Sequence, residues 1–340
     1  MNPERILIIQ TAFLGDVILC TPLIKGVRKK YPESKIFFLV IPQTRELLQN
    51  NPYLDEIIVY DKKGKEKSIL RYLDLVKRIK AKNFDWAFIP HRSLRSTLLA
   101  YLAGIPQRVG FNKSAGSFLF TKKIKYIQNQ PETERNLSLL ETKSSSENDF
   151  LPELFPSDDD FRYVEDLFKS WNIKEDDKVV GIAPGSVWET KKWIPDRFGQ
   201  VADFLMERFK VKVIFLGGKE DESLSLEISK DMRNKSFIAT GKTTSLQSAA
   251  MISRCKVILS NDTAPMHMAV GMKTPVVAIF GSTIPEFGFA PTGKNDVVIQ
   301  KEVYCRPCGI HGRRKCPEKH FRCMKEITVE EVLESVAHRL

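Results

Sequence analysis

Four short segments place glycine, hydroxyl and charged residues directly behind an apolar run, where parallel α/β sheets hold their ligands. In Thr11-Ala12-Phe13-Leu14-Gly15-Asp16, Gly15 allows a tight turn and Asp16 opens a helix. A carboxylate there is held as the anion, either as a cap or as a general base. In Ala183-Pro184-Gly185-Ser186, continuing through Val187 and Trp188 to Lys191-Lys192-Trp193, backbone N–H groups can face a phosphate. Lys191 or Lys192 adds a point charge suited to a diphosphate; the alternative is a surface loop with Trp193 packed on the domain. Phe215-Leu216-Gly217-Gly218-Lys219-Glu220-Asp221 offers an acidic residue that bonds a ribose hydroxyl or caps a helix. In Ser260-Asn261-Asp262-Thr263-Ala264-Pro265-Met266-His267, Asp262 or Asn261 is expected to cap the next helix. The Thr263 hydroxyl and the first N–H groups of that helix then face an anion, with His267 one turn on along the same face.

These segments need strands and helices to position them. Residues 5–10, 35–41, 56–60 and 86–90 read as buried strands, with helices expected over 16–31, 69–79 and 93–103. In the second of these helices Ile69, Tyr72, Leu73, Val76 and Ile79 keep helical spacing, and basic residues fill the other face. Residues 128–158, including Ser144-Ser145-Ser146 and Ser157-Asp158-Asp159-Asp160, are polar and turn-rich and read as a linker region. Strands then resume at 178–183, 211–216, 237–240, 256–259 and 275–280. Helices are expected at 195–209, 221–232, 245–253 and 263–270, and a last one at 328–339 is capped by Thr328. The alternation implies two doubly wound parallel α/β domains with a cleft between them: 1–155, 156–325 and a terminal helix in 326–340.

With 340 residues and 42% hydrophobic content, the chain can supply a core in each half. No secretory leader and no run long enough to span a bilayer is visible, which leads to a cytoplasmic expectation. The net charge of +11 is unevenly placed: residues 1–150 carry 25 basic against 15 acidic residues, and the rest is nearly balanced. Such a surface attracts phosphates or anionic lipid head groups. Nucleic acid would be attracted too, but the basic excess and the cysteines lie in different halves, so no nucleic-acid partner is expected.

Four of the six cysteines, Cys305, Cys308, Cys316 and Cys323, fall within the segment 305–323, with His311 and His320 among them. A C-x2-C pair followed by two more thiols suits a structural zinc ion, and the basic neighbours would favour thiolates. Reduced thiols packed in a turn, or disulfides in an oxidised chain, are the alternatives. Cys20 and Cys255 sit in apolar runs.

Taken together, Gly15-Asp16, Ala183-Pro184-Gly185, Lys191 with Trp193, Gly217-Gly218, Asp262-Thr263-Ala264 with His267, and Glu134-Arg135-Asn136 resemble the ADP-heptose:lipopolysaccharide heptosyltransferases, an inverting family of GT-B fold (glycosyltransferase family 9). The resemblance covers nearly the whole chain, and its cysteine-rich tail is similar to a branch of heptosyltransferase II type. It implies two Rossmann-like domains facing a cleft, an ADP-heptose donor on the second, and a lipopolysaccharide core acceptor. Asp16 would be the catalytic base, and Lys191 with the helix start at Thr263 would stabilise the departing diphosphate, without a catalytic metal. Ser186, Glu220, Thr244, Asp262, Thr263, Ala264 and His267 match donor-contacting positions. Ala264 stands where many relatives have glycine, and Val187 where some have a hydroxyl residue. The basic first half fits an acidic, membrane-borne acceptor, with Arg92 and Arg95, and less directly Arg108, as acceptor contacts and the protein peripheral at the inner membrane. A relative using another nucleotide-sugar donor, or a UDP-sugar 2-epimerase of the same architecture, are the rival readings.

Overall fold

The computed structural model describes residues 3–141 and 150–340. The chain divides into two compact units, Met1–Phe155 and Pro156–Leu340.

The first unit is one parallel sheet. Its strands are β1 (Arg5–Ile9), β2 (Lys35–Val40), β3 (Glu56–Val59), β4 (Trp86–Ile89), β5 (Gln107–Phe111) and β6 (Lys122–Ile124), in the order β3-β2-β1-β4-β5-β6. Ile6 to Ile9 are fully buried, as an unbroken apolar run must be when helices cover both faces of a sheet. The helices are α1 (Leu14–Ile18), α2 (Thr21–Lys30), α3 (Ile69–Lys80), α4 (Leu94–Leu102) and α5 (Glu132–Ser138).

The second unit repeats the plan. It runs α6 (Asp158–Ser170), β7 (Val179–Ala183), α7 (Pro195–Phe209), β8 (Lys212–Phe215), α8 (Glu222–Asp231), β9 (Phe237–Ile238), α9 (Ser245–Ser253), β10 (Val257–Asn261), α10 (Ala264–Gly271), β11 (Val276–Phe280), β12 (Val297–Gln300), α11 (Arg322–Lys325) and α12 (Val329–Ala337). The strand order β12-β11-β10-β7-β8-β9 has the same topology as the first sheet. Each sheet therefore reverses its winding at one point, between β1 and β4 or between β7 and β10. Ligands of open α/β sheets bind beyond the strand ends at such a point.

Several expectations need correction. The helix expected over 16–31 is two helices, broken at Leu19 and Cys20 because Pro22 cannot continue a preceding turn. Gly15 lies inside α1 rather than in a turn. The expected linker contains α5, and Ser157 to Asp160 begin α6: Ser157 Oγ accepts from Asp160 N, and Asp160 reaches back to Ser157 N (2.8 Å). Ser144-Ser145-Ser146 lies outside the described residues. Strands β5, β6 and β12 add to the expected set; Gly110 and the lysines of β6 interrupt the apolar runs that would mark the first two. In α3 the buried residues are Tyr72, Leu75, Val76 and Ile79, whereas Ile69 is 77% and Leu73 42% exposed. Leu73 lies roughly 110° around the helix from the middle of that buried set. Among the described residues no helix is long and apolar enough to cross a membrane.

Candidate functional site

In the second unit the switch point is built by tying β7 to β10. Asn261, fully buried at the end of β10, donates from Nδ2 to the Pro184 carbonyl (2.8 Å) and accepts from Trp193 N (3.0 Å). Trp193 is itself core, with Nε1 donating to the Ile327 carbonyl (3.2 Å). This anchor fixes the preceding turn, so Lys191 Nζ reaches Asp262 Oδ2 at 2.5 Å. Only 13% of the Lys191 side chain and 6% of the Asp262 side chain meet solvent. Asp262 does not cap α10; the N-cap position belongs to Thr263, whose side chain makes no cap bond. The carboxylate is engaged instead by Lys191 and by Thr283 Oγ1, which donates to it at 2.7 Å. Burial, reinforced by the Lys191 charge and opposed by Asp262, lowers the His267 pKa to about 4, so its ring is neutral at pH 7. The edge thus holds one cation, one carboxylate, a neutral imidazole and the uncapped start of α10, a set suited to an anionic leaving group.

The remaining donor candidates are placed differently. Ser186 is half-buried, and its Oγ accepts from Trp188 N (3.2 Å). Ala264 is the first residue of α10. Glu220 is exposed beside Gly218. Thr244 is the N-cap of α9, exchanging capping bonds with Gln247, so its hydroxyl already has a structural partner. Asp221 lies against Gly185, where a Cβ would fall 2.0 Å from Oδ1 and force the carboxylate to move. Gly281-Ser282-Thr283, just past β11, obeys the same rule of polar residues after an apolar strand and adds Thr283 to the candidates.

The cysteine-bearing segment closes on this edge. Cys308 N donates to the Ser282 carbonyl (2.9 Å), and Arg313 Nε donates to the Cys308 carbonyl (2.8 Å). Thr190 N donates to the Arg313 carbonyl (3.0 Å), and Arg313 N returns a bond to Thr190 Oγ1 (2.7 Å). Gly312 has φ +83°, and a Cβ there would stand 3.1 Å from Lys191 Cγ. All six cysteines are free thiols, and Cys305 Sγ lies 3.8 Å from His320 Nε2. At two of these cysteines the basic neighbours are outweighed: burial first, then the surrounding thiols, push Cys308 up and Cys323 to about 11. Among the described residues no three His, Cys, Asp or Glu side chains form a group able to hold a metal ion, so a zinc site requires the loop to draw its thiols together.

In the first unit the ends of β1 and β4 gather a second set. Asp16 is half-buried in α1, and its Oδ2 accepts from Phe13 N (3.2 Å). Lys62 Nζ donates to the Thr11 carbonyl (2.5 Å). His91, missed in the sequence although it directly follows β4 and Pro90, lies 3.1 Å from Thr11 Oγ1 and 2.8 Å from Ser96 Oγ. Burial, then Lys62 and Arg92, lower its pKa to about 4. Arg92 lies over the Tyr126 ring at 4.5 Å, and Arg95 Nη1 donates to Tyr60 Oη (3.2 Å). Arg108 donates to the carbonyls of Leu119, Ile105 and Pro106, so part of its guanidinium already has structural partners. Glu134-Arg135-Asn136 has a structural part: Arg135, 1% exposed, pairs with buried Glu132 at 2.5 Å, and Asn136 Nδ2 donates to the Leu19 carbonyl (3.0 Å).

Comparison with known proteins gives the family and the fold. Lipopolysaccharide heptosyltransferase 3 of Escherichia coli K12 is 28% identical over 284 residues, covering 79% of this chain and 80% of that protein. The crystal structure of a family 9 glycosyl transferase from Veillonella parvula superposes with a TM-score of 0.88 at 26% identity, covering 99% of this chain and 97% of that one. The structure of E. coli ADP-heptose lipopolysaccharide heptosyltransferase II superposes at 0.79 and 23% identity over 98% of both chains and shares the fold. Residues 72–321 match glycosyltransferase family 9 (heptosyltransferase), and with most of its length inside that match and two sheets of one topology, the chain belongs to this family of GT-B glycosyltransferases.

Proposed function

We propose that the chain moves L-glycero-D-manno-heptose from ADP-heptose to the inner core of lipopolysaccharide, with inversion. The observation that carries this is the buried Lys191–Asp262 pair beside the open start of α10 at the β7/β10 switch point. Lys191 and the Ala264 N–H at the start of α10 take up the charge that develops on the departing diphosphate, Pro265 supplying no N–H. Neutral His267, Ser186 and Thr263 complete the donor contacts, with Glu220 and Thr244 toward the nucleoside. Asp16 of the first unit accepts the proton of the attacking acceptor hydroxyl, and the new glycosidic bond forms on the face opposite the departing ADP. Arg92 and Arg95 meet the anionic groups of the acceptor. The names of the relatives support the sugar and the acceptor, because a lipopolysaccharide and an ADP-heptose enzyme are among the proteins that this chain resembles.

The reading places the enzyme in the cytoplasm, in peripheral contact with an anionic membrane, as a lipid-borne acceptor and a basic first half require. Mass spectrometry of products from defined core acceptors incubated with ADP-heptose tests it. A heptose-extended core is expected; turnover no faster than with other nucleotide sugars overturns the donor assignment.

A further inference from the structure

The first turns of α3 leave aliphatic side chains in solvent that a helix inside a core would bury. Ile69 and Leu70 are 77% and 75% exposed, and Leu73 is 42% exposed. At 100° per residue these three share a flank with Lys77 and Lys80 from the following turns. The segment leading into α3 adds exposed Lys63, Lys65 and Lys67. Among the described residues Lys65, Lys67, Lys77 and Lys80 have no carboxylate partner, whereas Arg78 is paired with Glu66 and Lys82 with Glu56. α3 packs on α4, and α4 on the turn Ser117–Leu119, where Leu94 (51% exposed) and Phe118 (76%) are also uncovered.

We propose that this flank of α3, with Ile69, Leu70 and Leu73 at its centre and Lys65, Lys67, Lys77 and Lys80 around them, docks on an anionic phospholipid bilayer. The composition favours lipid over protein. The core of a protein interface excludes lysine, whereas lysine stems lie flat on apolar surface and keep their ammonium groups in a head-group layer. An amphipathic helix with a basic polar side and aliphatic residues beside it lies in the plane of the membrane. The surface deepens the proposed function and rests on it for its purpose, since a lipid-borne acceptor must be met at its membrane. Its lipid binding is measured without donor or acceptor, so the two readings fail separately.

The test is flotation of the full chain with vesicles of phosphatidylcholine alone or mixed with phosphatidylglycerol, at low and high salt. Binding is expected only with phosphatidylglycerol and is expected to weaken as salt rises. The triple variant I69S/L70S/L73S should bind those vesicles about tenfold less or worse, with melting little changed, because Ile69 and Leu70 are 77% and 75% exposed and Leu73 is 42% exposed. Replacing Lys65, Lys67, Lys77 and Lys80 by Gln should abolish the salt dependence. Equal binding to both vesicle types, or a triple variant that binds like the parent, overturns the proposal. So does a parent dimer that the triple variant converts to monomer, because the face would then be a protein interface. Lipid binding without heptose transfer would leave this surface standing and remove the proposed reaction.

Discussion

Thr190 and Arg313 hold each other through two backbone-directed bonds, Thr190 N to the Arg313 carbonyl at 3.0 Å and Arg313 N to Thr190 Oγ1 at 2.7 Å. The residue after Thr190 is Lys191, and Gly312 packs on its stem. The cysteine-bearing segment therefore braces Lys191, the cation of the proposed donor site. Thr190→Val keeps the side-chain shape but leaves Arg313 N unpaired. It is expected to lower kcat/KM and ADP affinity by about tenfold, the scale of a lost buried hydrogen bond. Thr190→Ser should restore both. If Thr190→Val binds ADP as tightly as the parent, the brace has no role at Lys191.

Lys191→Met is expected to abolish most turnover and also to destabilise the fold. It strands Asp262 in a nearly closed site, at a cost of about 3 kcal/mol. The double variant Lys191→Met with Asp262→Asn should recover part of that stability in urea unfolding without recovering activity. A single variant as stable as the parent would show that the pair contributes nothing to folding.

Asp16→Asn separates a base from a cap. The amide oxygen can still accept from Phe13 N, so α1 and ADP affinity should survive. Turnover should fall by about 10²-fold or more, as when a general base is lost. Parent-like turnover in this variant would reduce Asp16 to a helix cap.

Acid should weaken the protein through two histidines. His91 and His267 both titrate near 4 in the folded chain, below the roughly 6.5 of a free imidazole. The unfolded chain thus binds protons first. Stability is full above about pH 6.5 and is lost as pH falls toward 4, by up to about 3 kcal/mol for each ring. Urea midpoints measured from pH 7.5 down to 4.5 should drop more steeply for the parent than for His91→Gln with His267→Gln. Parallel curves would contradict these environments.

Reduced protein supplied with zinc is expected to take up about one ion per chain through Cys305, Cys308, Cys316 and Cys323. Native mass spectrometry reads the uptake, and Cys308→Ser should diminish it. Absence of uptake would leave the segment as packed, protonated thiols.

The strands nearest both switch points were legible because β1, β4, β7 and β10 are short apolar runs followed at once by polar residues. Outer strands were not, since β6 is Lys-Lys-Ile and its order comes from pairing with β5 rather than from its own pattern. Lys191 and Asp262 were legible as candidates, but their bond to each other was not. It depends on Asn261 bridging Pro184 and Trp193, which are distant in sequence. The same limit hid His91, whose partners Thr11 and Ser96 come from two elements. Exposure also resists pattern reading: Ile69 has the spacing of a core residue and lies in solvent.

The 2.5 Å contact between Lys191 and Asp262 means that the cation is already occupied when a ligand arrives. Any incoming anion competes with a carboxylate tethered beside the ammonium, at an effective concentration of about millimolar or above. Inorganic phosphate or sulfate brings a single charged group to that exchange and gains little. On the proposed function, a nucleotide diphosphate held at several points would displace the carboxylate more readily, and Thr283 already donates a hydrogen bond to Asp262. On the proposed role of Lys191, the resting ion pair would set a threshold against small anions of the solvent.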